Sequence, residues 1–279
     1  ADMARVCLEA CAELKIDIKD IANIGIASPG IANPVNGCVE YANNLPFLRF
    51  PIVKLLADGL GIDRSVIKIA NDANAAAWGE AVAGAAKGTS NSIMVTLGTG
   101  VGGGIIINGK IFSGWNSFGA ELGHINLELN GEPCTCGRNG CWEAYASATA
   151  LIRQTKQAMI RYPKSVMWEL CGGDINKVSG RTAFDAMRKG DEVGKQVVDR
   201  YEQYVAIGVS NNINIFQPEV LCIGGGISKE GDTLINPIKA YVKGENYARN
   251  IEKCTEIKAA ALGNDAGIIG AAYLCDLYK

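Results

Sequence analysis

Residues 121–143 read Glu121-Leu-Gly-His124 and, ten residues further on, Cys134-Thr-Cys136-Gly-Arg-Asn-Gly-Cys141-Trp-Glu143. One imidazole and three thiols are a common tetrahedral zinc set, and the glycines between the thiols allow the backbone to turn round a metal. The alternative is a core histidine beside three incidental cysteines, but the Cys-x-Cys-x4-Cys spacing favours zinc. The sequence therefore predicts a zinc site whose ligands are His124, Cys134, Cys136 and Cys141.

Two glutamates flank the predicted metal loop, the segment from His124 to Cys141. Four protein ligands fill the tetrahedral shell of zinc, so the metal would be structural and would fix a loop with little apolar content. Glu121 comes three residues before His124, and Glu143 follows the last thiol by two, so both acids would lie beside the loop. Each acid alone could be a solvated charge. Together with the imidazole, they could instead bind the hydroxyls of a polyhydroxylated ring.

A glycine-rich turn precedes the metal loop. Thr96-Leu-Gly-Thr-Gly100-Val-Gly-Gly-Gly104 joins two predicted strands, 92–97 and 104–107. It lacks the Gly-Lys-Ser/Thr ending of a Walker loop, and no helix follows it as in a dinucleotide-binding fold. It is either a bulged hairpin or a turn whose bare amides approach nucleotide phosphates.

Two further motifs follow predicted strands. Gly224-Gly-Gly226 comes after the strand 220–223, where a flat ligand could press on the backbone. Asn71 and Asp72 stand where the strand 66–70 ends and a helix begins, the edge at which open α/β sheets bind ligands. The pair is either a helix N-cap, or a general base (Asp72) beside a hydroxyl ligand (Asn71). Alternating strands and helices along the chain predict mixed α/β layers.

The composition excludes several classes of protein. The 279 residues include 48% hydrophobic and 20% charged residues, and the net charge is −2. No long run of lysine or arginine occurs, so we expect neither a nucleic-acid nor an anionic-membrane surface. No apolar stretch is long enough to span a bilayer, and the first residues do not form a signal-peptide pattern. Seven of the ten cysteines are scattered through mostly apolar segments, which is typical of free thiols in a reducing compartment and predicts a cytoplasmic protein.

Together these motifs resemble the ROK family of sugar kinases and sugar-responsive repressors, and within it the bacterial glucokinases. The resemblance rests first on the stretch from Glu121 to Glu143 and on Thr99-Gly-Val-Gly-Gly-Gly104 through Gly119-Ala-Glu-Leu-Gly-His124. It covers essentially the whole chain, because further family motifs occur in the family's order: Ser28-Pro-Gly30, Asn44-Leu-Pro, Asn71-Asp72, Gly224-Gly-Gly226 and Gly263-Asn-Asp-Ala-Gly267.

The resemblance implies an actin/hexokinase-like (ribonuclease H-like) fold, in which two α/β domains close over a cleft. We expect a small domain of residues 1–77 plus 265–279 and a larger domain of residues 78–264 that carries the zinc loop. The implied activity is ATP-dependent phosphorylation of a hexose at its 6-hydroxyl, above all glucose to glucose 6-phosphate. The implied cofactors are ATP, Mg²⁺ and a structural Zn²⁺, and the implied assembly is a homodimer or homotetramer.

The resemblance also implies a role for each motif residue. Asp72 would be the catalytic base that takes the proton of the 6-hydroxyl. His124 would bind zinc through one ring nitrogen and present its other side to the sugar. The ligands of the sugar hydroxyls would be Asn44, Asn71, Glu121, His124 and Glu143. The residues around ATP would be Thr99, Gly100, Gly102, Gly224, Gly225 and Gly226.

One motif of the family's kinases does not occur in this chain. Those kinases begin with a strand hairpin that carries Asp-x-Gly-Gly-Thr, whereas this chain opens inside a predicted helix, 3–14. We therefore expect the natural protein to have residues before Ala1, and this hairpin to be missing from the chain. Two alternatives stay open: a kinase for N-acetylglucosamine, N-acetylmannosamine, mannose or fructose, and the sugar-binding core of a ROK transcriptional repressor.

Overall fold

The computed structural model describes residues 2–42 and 45–278, except for the side chain of Tyr278. The helices in these residues are α1 (Asp2–Leu14), α2 (Ile52–Leu60), α3 (Asp72–Ala83), α4 (Glu143–Ala146), α5 (Ala148–Arg161), α6 (Val166–Leu170), α7 (Thr182–Arg188), α8 (Glu192–Phe216), α9 (Asp232–Glu245) and α10 (Ala266–Ala272). The strands are β1 (Ile24–Ser28), β2 (Ile31–Asn33), β3 (Cys38–Tyr41), β4 (Leu48–Phe50), β5 (Ile67–Asn71), β6 (Ser92–Leu97), β7 (Val101–Ile107), β8 (Lys110–Phe112), β9 (Val220–Gly224) and β10 (Glu256–Ala259). The predicted mixture of strands and helices is confirmed.

The strands form three sheets. A parallel pair consists of β1 and β5, and an antiparallel sheet has the order β2-β3-β4. The third sheet has the order β10-β9-β6-β7-β8, with β9 and β10 parallel and β7 and β8 antiparallel.

The chain divides into two compact units. The first comprises Ala1–Met94, Gly104–Ala120 and Ala261–Lys279, and the second comprises Val95–Gly103 and Glu121–Ala260. The first unit thus includes residues 78–94 and 104–120, which the sequence analysis assigns to the larger domain. The functional boundaries at residues 77 and 265 stay a prediction.

In the first unit, the parallel strands β1 and β5 bring two turns together. Their register pairs Ile24 with Ile67 and Ser28 with Asn71, so both strands end at the same edge. The isoleucines Ile26 and Ile69 are buried in a core that also contains the apolar face of α2. This core fixes the turn that follows β1 beside the first residues of α3.

A buried carboxylate connects α3 to the segment that enters α10, within the same unit. Glu80 is 0% exposed. Its Oε2 accepts hydrogen bonds from the backbone N–H groups of Ala85 (2.7 Å) and Ala261 (3.1 Å), and its Oε1 accepts one from Leu262 (2.8 Å). A buried charge is tolerated only when its oxygens are hydrogen-bonded, and three amides meet this need. Glu80 therefore holds in place the helix that begins with Asp72.

We expect Glu80→Ala to lower the free energy of unfolding by roughly 3–5 kcal/mol, because three partly buried amides lose their acceptor. Glu80→Gln keeps one side-chain oxygen and should lose less. Denaturant unfolding of both variants measures the difference. A Glu80→Ala protein within about 1 kcal/mol of the parent would show that water replaces the carboxylate at little cost.

The second unit has its own core, centred on α8. The largest fully buried side chains include Trp142, Phe184 and Tyr201. Trp142 Nε1 donates to the backbone oxygen of Tyr204 at 2.9 Å, and the Tyr201 hydroxyl donates to the backbone oxygen of Ala146 at 2.8 Å. These bonds attach the segment that follows the metal loop to α8.

In the part of the chain that the structure describes, no helix combines the length and the apolar character needed to cross a bilayer.

One predicted helix is divided in the structure. The sequence pattern indicates a single helix over residues 143–161, but Ser147 is extended, with φ −73° and ψ 162°. Its hydroxyl accepts a hydrogen bond from the N–H of Ala150 at 3.1 Å, so Ser147 is the N-cap of α5. The single-helix prediction was therefore wrong, because serine caps a new helix at this point and leaves Glu143 on the short helix α4.

Candidate functional site

The predicted zinc ligands lie together in the second unit. One possible ligand atom from each of His124, Cys134, Cys136 and Cys141 can be chosen so that all four lie within 4.8 Å of one another. His124 Nδ1 is 3.7 Å from Cys134 Sγ, and Cys136 Sγ is 3.6 Å from Cys141 Sγ. The four side chains could therefore hold one metal ion.

Short local elements position these four side chains. His124 closes a turn of 3₁₀ helix, Leu122–His124, in which its N–H donates to the backbone oxygen of Glu121 at 3.0 Å. In the cysteine loop, the N–H of Cys134 donates to the backbone oxygen of Arg138 at 2.8 Å, which closes a tight turn. The Arg138 guanidinium donates to the backbone oxygen of His124 at 3.4 Å and so connects the two segments.

The thiols of the cluster have different pKa values. Burial raises the pKa of Cys141 to about 12, with further contributions from the neighbouring thiols. Burial also raises the pKa of Cys134. Burial acts in the same direction on Cys136, but hydrogen bonds from the Arg138 N–H and from the other thiols outweigh it, so the pKa of Cys136 is lowered.

Glu143 connects the metal loop to the glycine turn. Its Oε2 accepts a hydrogen bond from the N–H of Val101 at 3.0 Å. Its Oε1 accepts hydrogen bonds from the Thr135 hydroxyl at 3.2 Å and from Cys134 Sγ at 3.6 Å. A carboxylate has about four lone-pair positions, so Glu143 can still accept a hydrogen bond from a ligand.

The turn at Gly100 lies close to this carboxylate, and the turn at Gly225 packs against the strand that precedes Gly100. A Cβ atom on Gly100 would overlap Glu143 Oε2, so only glycine allows the turn to approach the acid. Gly225 has φ +87°, and a Cβ atom there would overlap the backbone of Leu97, at the end of β6. The turn after β9 therefore packs against the strand that leads into the turn at residues 98–100.

Hydrogen bonds from α5 hold the turn at residues 98–100. This turn is shorter than the glycine-rich stretch 96–104, because β7 already begins at Val101. The N–H of Ala148 donates to the backbone oxygen of Gly98, and the Thr149 hydroxyl donates to the backbone oxygen of Thr99, both at 2.8 Å. Gly102 lies within β7. Thr99 is exposed, and Gly100 and Gly102 are half-buried, so a ligand could reach all three.

Asn71 and Asp72 belong to the first unit and differ in their surroundings. Asn71 is the N-cap of α3, because its Oδ1 accepts hydrogen bonds from the N–H groups of Ala73 (2.9 Å) and Asn74 (3.2 Å). Its Nδ2 donates to the backbone oxygen of Gly30 at 2.9 Å. Asp72 is exposed in the first turn of the helix. Asp72 Oδ1 also accepts a hydrogen bond from the N–H of Ala73, at 2.9 Å, but the residue in the N-cap position is Asn71.

Among the predicted site residues, the second unit brings together the metal ligands, Glu121, Glu143 and both glycine turns. Asn44 lies outside the described residues. Thr135, whose hydroxyl donates to Glu143, was not predicted as a site residue. Its position between two metal-ligand candidates, Cys134 and Cys136, was the available signal.

Known proteins resemble this chain over nearly its whole length. Residues 5–277 match the family model described as ROK family. A glucokinase from Thermotoga maritima is 37% identical over 272 residues, which cover 97% of this chain and 84% of that protein. A xylose repressor from Bacillus spizizenii is 29% identical over 252 residues, which cover 90% of this chain and 60% of that protein.

A solved structure resembles the chain to a similar extent. It is a ROK family glucokinase from Streptomyces griseus in complex with glucose and AMPPNP, with a TM-score of 0.81 and 32% identity. The match covers 98% of this chain and 87% of that chain. The predicted actin/hexokinase-like fold is confirmed by this similarity. Since the family model spans nearly the whole sequence and the relatives match it throughout, this chain belongs to the ROK family.

Proposed function

We infer that this chain is an ATP-dependent sugar kinase that phosphorylates the 6-hydroxyl of a hexose, with glucose as the preferred sugar. The observation that carries the inference is the Glu143 carboxylate, which binds both the N–H of Val101 after the glycine turn and the Thr135 hydroxyl in the metal loop. One side chain thus joins the turn proposed for the ATP phosphates to the loop proposed for the sugar. The names of the relatives support this reading, since the T. maritima and S. griseus proteins are glucokinases.

The proposed mechanism depends mainly on alignment and charge. Phosphoryl transfer has a loose transition state, so the protein must place the attacking hydroxyl and the γ-phosphate in line. Asp72 is the proposed base, which orients the 6-hydroxyl and accepts its proton late in the reaction. ATP would enter as its magnesium complex. Its proposed contacts are Thr99, Gly100 and Gly102 at the phosphates and Gly224, Gly225 and Gly226 beside the adenosine.

We also propose that the metal loop holds zinc. A tetrahedron with metal–ligand bonds of about 2.0–2.3 Å has edges of roughly 3.3–3.8 Å. The two measured separations, 3.7 Å for His124 Nδ1 to Cys134 Sγ and 3.6 Å for Cys136 Sγ to Cys141 Sγ, fit such edges. Four protein donors complete the shell, so the ion would orient the loop and leave no position for an activated water. With Nδ1 on the metal, His124 keeps Nε2 for the sugar.

The proposed ligands of the sugar hydroxyls are Asn44, Asn71, Glu121, His124 and Glu143. One N–H of the Asn71 side-chain amide donates to the backbone oxygen of Gly30, so the second N–H remains for a sugar hydroxyl.

All ten cysteines are free thiols, which suits the reducing cytoplasm that we propose as the location. The proposed assembly is a homodimer or homotetramer.

A coupled ADP-release assay of the full-length protein over a panel of sugars tests the proposed function. We expect sugar-dependent ADP release, with the highest kcat/KM for glucose. Higher values for N-acetylglucosamine, N-acetylmannosamine, mannose or fructose would reassign the sugar. Sugar binding without any ADP release would favour the repressor core, a class to which the B. spizizenii relative belongs.

Glu143→Gln should weaken sugar binding roughly tenfold or more, because an amide replaces a charged acceptor. ATP affinity should change much less. Isothermal titration calorimetry with each ligand separates the two effects. Glu169→Gln is the matched control, since Glu169 is an exposed acid of the same unit that pairs with Lys189 at 3.5 Å. A larger loss for ATP than for sugar would contradict the role of Glu143.

A further inference from the structure

A polar groove lies between α5 and α8 in the second unit, and the proposed function makes no use of it. Its volume is about 300 Å³. The charged and polar residues that line it include Glu132, Arg153, Gln154, Arg161, Arg200 and Tyr204. None of them is among the metal ligands, the glycine turns or the proposed sugar ligands.

The groove carries an excess of positive charge. Three arginines line it against a single glutamate. Arg153 lies 3.6 Å from Glu132, whereas Arg161 and Arg200 form no ion pair with any residue that the structure describes. Two guanidinium groups are therefore available for an anionic ligand.

Two buried polar atoms of the groove residues have no partner. They are Arg153 Nε and Gln154 Oε1, for which no hydrogen-bond partner exists among the described residues. The other ends of both side chains are fixed, because Arg153 Nη2 donates to the backbone oxygen of Ala144 at 2.7 Å and Gln154 Nε2 donates to that of Tyr145 at 2.9 Å. Neither atom is accessible to solvent, so a ligand does not reach it directly; the fixed side chains instead form a rigid wall of the groove.

The spacing of the charges indicates the shape of that ligand. Arg153 and Arg161 are eight residues apart on α5, which separates their Cα atoms by about 12 Å along the helix. Arg200 projects from α8, and its guanidinium lies 4.8 Å from the centre of the Tyr204 ring. We expect a ligand with an acidic group at each end to match charges on two helices better than a single phosphate group does.

The size and the chemistry of the groove narrow the class of ligand further. A volume of about 300 Å³ is at the lower limit for small-molecule sites, so the ligand is a small metabolite. Arginine forks match phosphate oxygens, and the exposed amides of Gln157 and Gln196, which also line the groove, can pair with hydroxyls. We propose that this groove is a second binding site, which takes a small sugar carrying two phosphate groups.

Isothermal titration calorimetry with fructose 1,6-bisphosphate tests the proposal. The protein is first saturated with glucose and magnesium–AMPPNP, so that the proposed catalytic site is occupied. We expect one bisphosphate per chain, bound at least roughly tenfold more tightly than inorganic phosphate, since both ends contribute charge-assisted hydrogen bonds. Arg161→Gln and Arg200→Gln should each weaken binding by roughly tenfold.

Lys156→Gln provides the matched control, because Lys156 is a basic residue of α5 that does not line the groove. It should leave the affinity within about twofold of the parent. Arg161 and Arg200 are exposed, so their variants should fold, and thermal unfolding verifies this. Four results would overturn the proposal: no binding at millimolar bisphosphate, equal affinity for inorganic phosphate, equal affinity for citrate, or equal losses in the arginine and Lys156 variants.

Discussion

Asp72→Asn should lower kcat by roughly 10²–10⁴-fold, the usual contribution of a general base in the transition state. Sugar affinity should stay within about an order of magnitude, because asparagine keeps the size of the side chain and can still hydrogen-bond the hydroxyl. Steady-state kinetics with glucose and ATP gives kcat, and calorimetry gives the sugar affinity. The two measurements together separate a loss of chemistry from a loss of binding.

The structure indicates that Asp72→Asn should leave the cap and the stability of α3 nearly unchanged. Asn71 caps α3 through its Oδ1, so the cap survives when Asp72 changes. Asp72 is exposed in the first helical turn, where loss of a negative charge costs less than about 1 kcal/mol of stability. Asp58→Asn is the matched control, since Asp58 is an exposed acid of the same unit paired with Lys54. Normal turnover in Asp72→Asn, or an equal loss in Asp58→Asn, would refute the assignment of the base.

The elements with strong periodicity could be predicted from the sequence. The predicted helix 3–14 and strand 92–97 agree with α1 and β6 to within one residue. The small sheet of β2, β3 and β4 was not predicted, because strands of three or four residues show too little alternation to be distinguished from loops. The last helix was predicted to reach residue 278, but α10 ends at Ala272 and a 3₁₀ turn, Leu274–Tyr278, follows it.

The candidate site was predictable to the extent that its chemistry is local. The spacing of His124 and the three cysteines was sufficient to predict a cluster, since four soft donors within eighteen residues have few other uses. The bond from the N–H of Val101 to Glu143 spans 42 residues and depends on tertiary packing. No local pattern reports such a contact, so the connection between the glycine turn and the metal loop emerged only from the structure.

Cys136→Ser should abolish metal binding. A neutral serine hydroxyl is a much weaker zinc ligand than a thiolate, and a structural zinc site is worth roughly 10–16 kcal/mol in small peptides near neutral pH. Cys136 is the best position for the test because it is exposed, so serine leaves no packing defect, whereas Cys141 is buried. Elemental analysis of the gel-filtered protein should give about one zinc per parent chain and almost none per variant chain.

Loss of the metal should also weaken the binding of the sugar. The Thr135 hydroxyl donates to Glu143, and Thr135 stands between two of the proposed zinc ligands, so a loop that is no longer held by zinc would release that carboxylate from its position. We therefore expect Cys136→Ser to weaken glucose binding by at least roughly tenfold, in line with the effect of disturbing the groups that support a site. Cys254→Ser is the control, because Cys254 is an exposed thiol of the same unit outside the cluster. If Cys136→Ser retained a full equivalent of zinc, the ligand set would be wrong. If it lost zinc but bound glucose normally, the metal loop would have no part in holding the sugar.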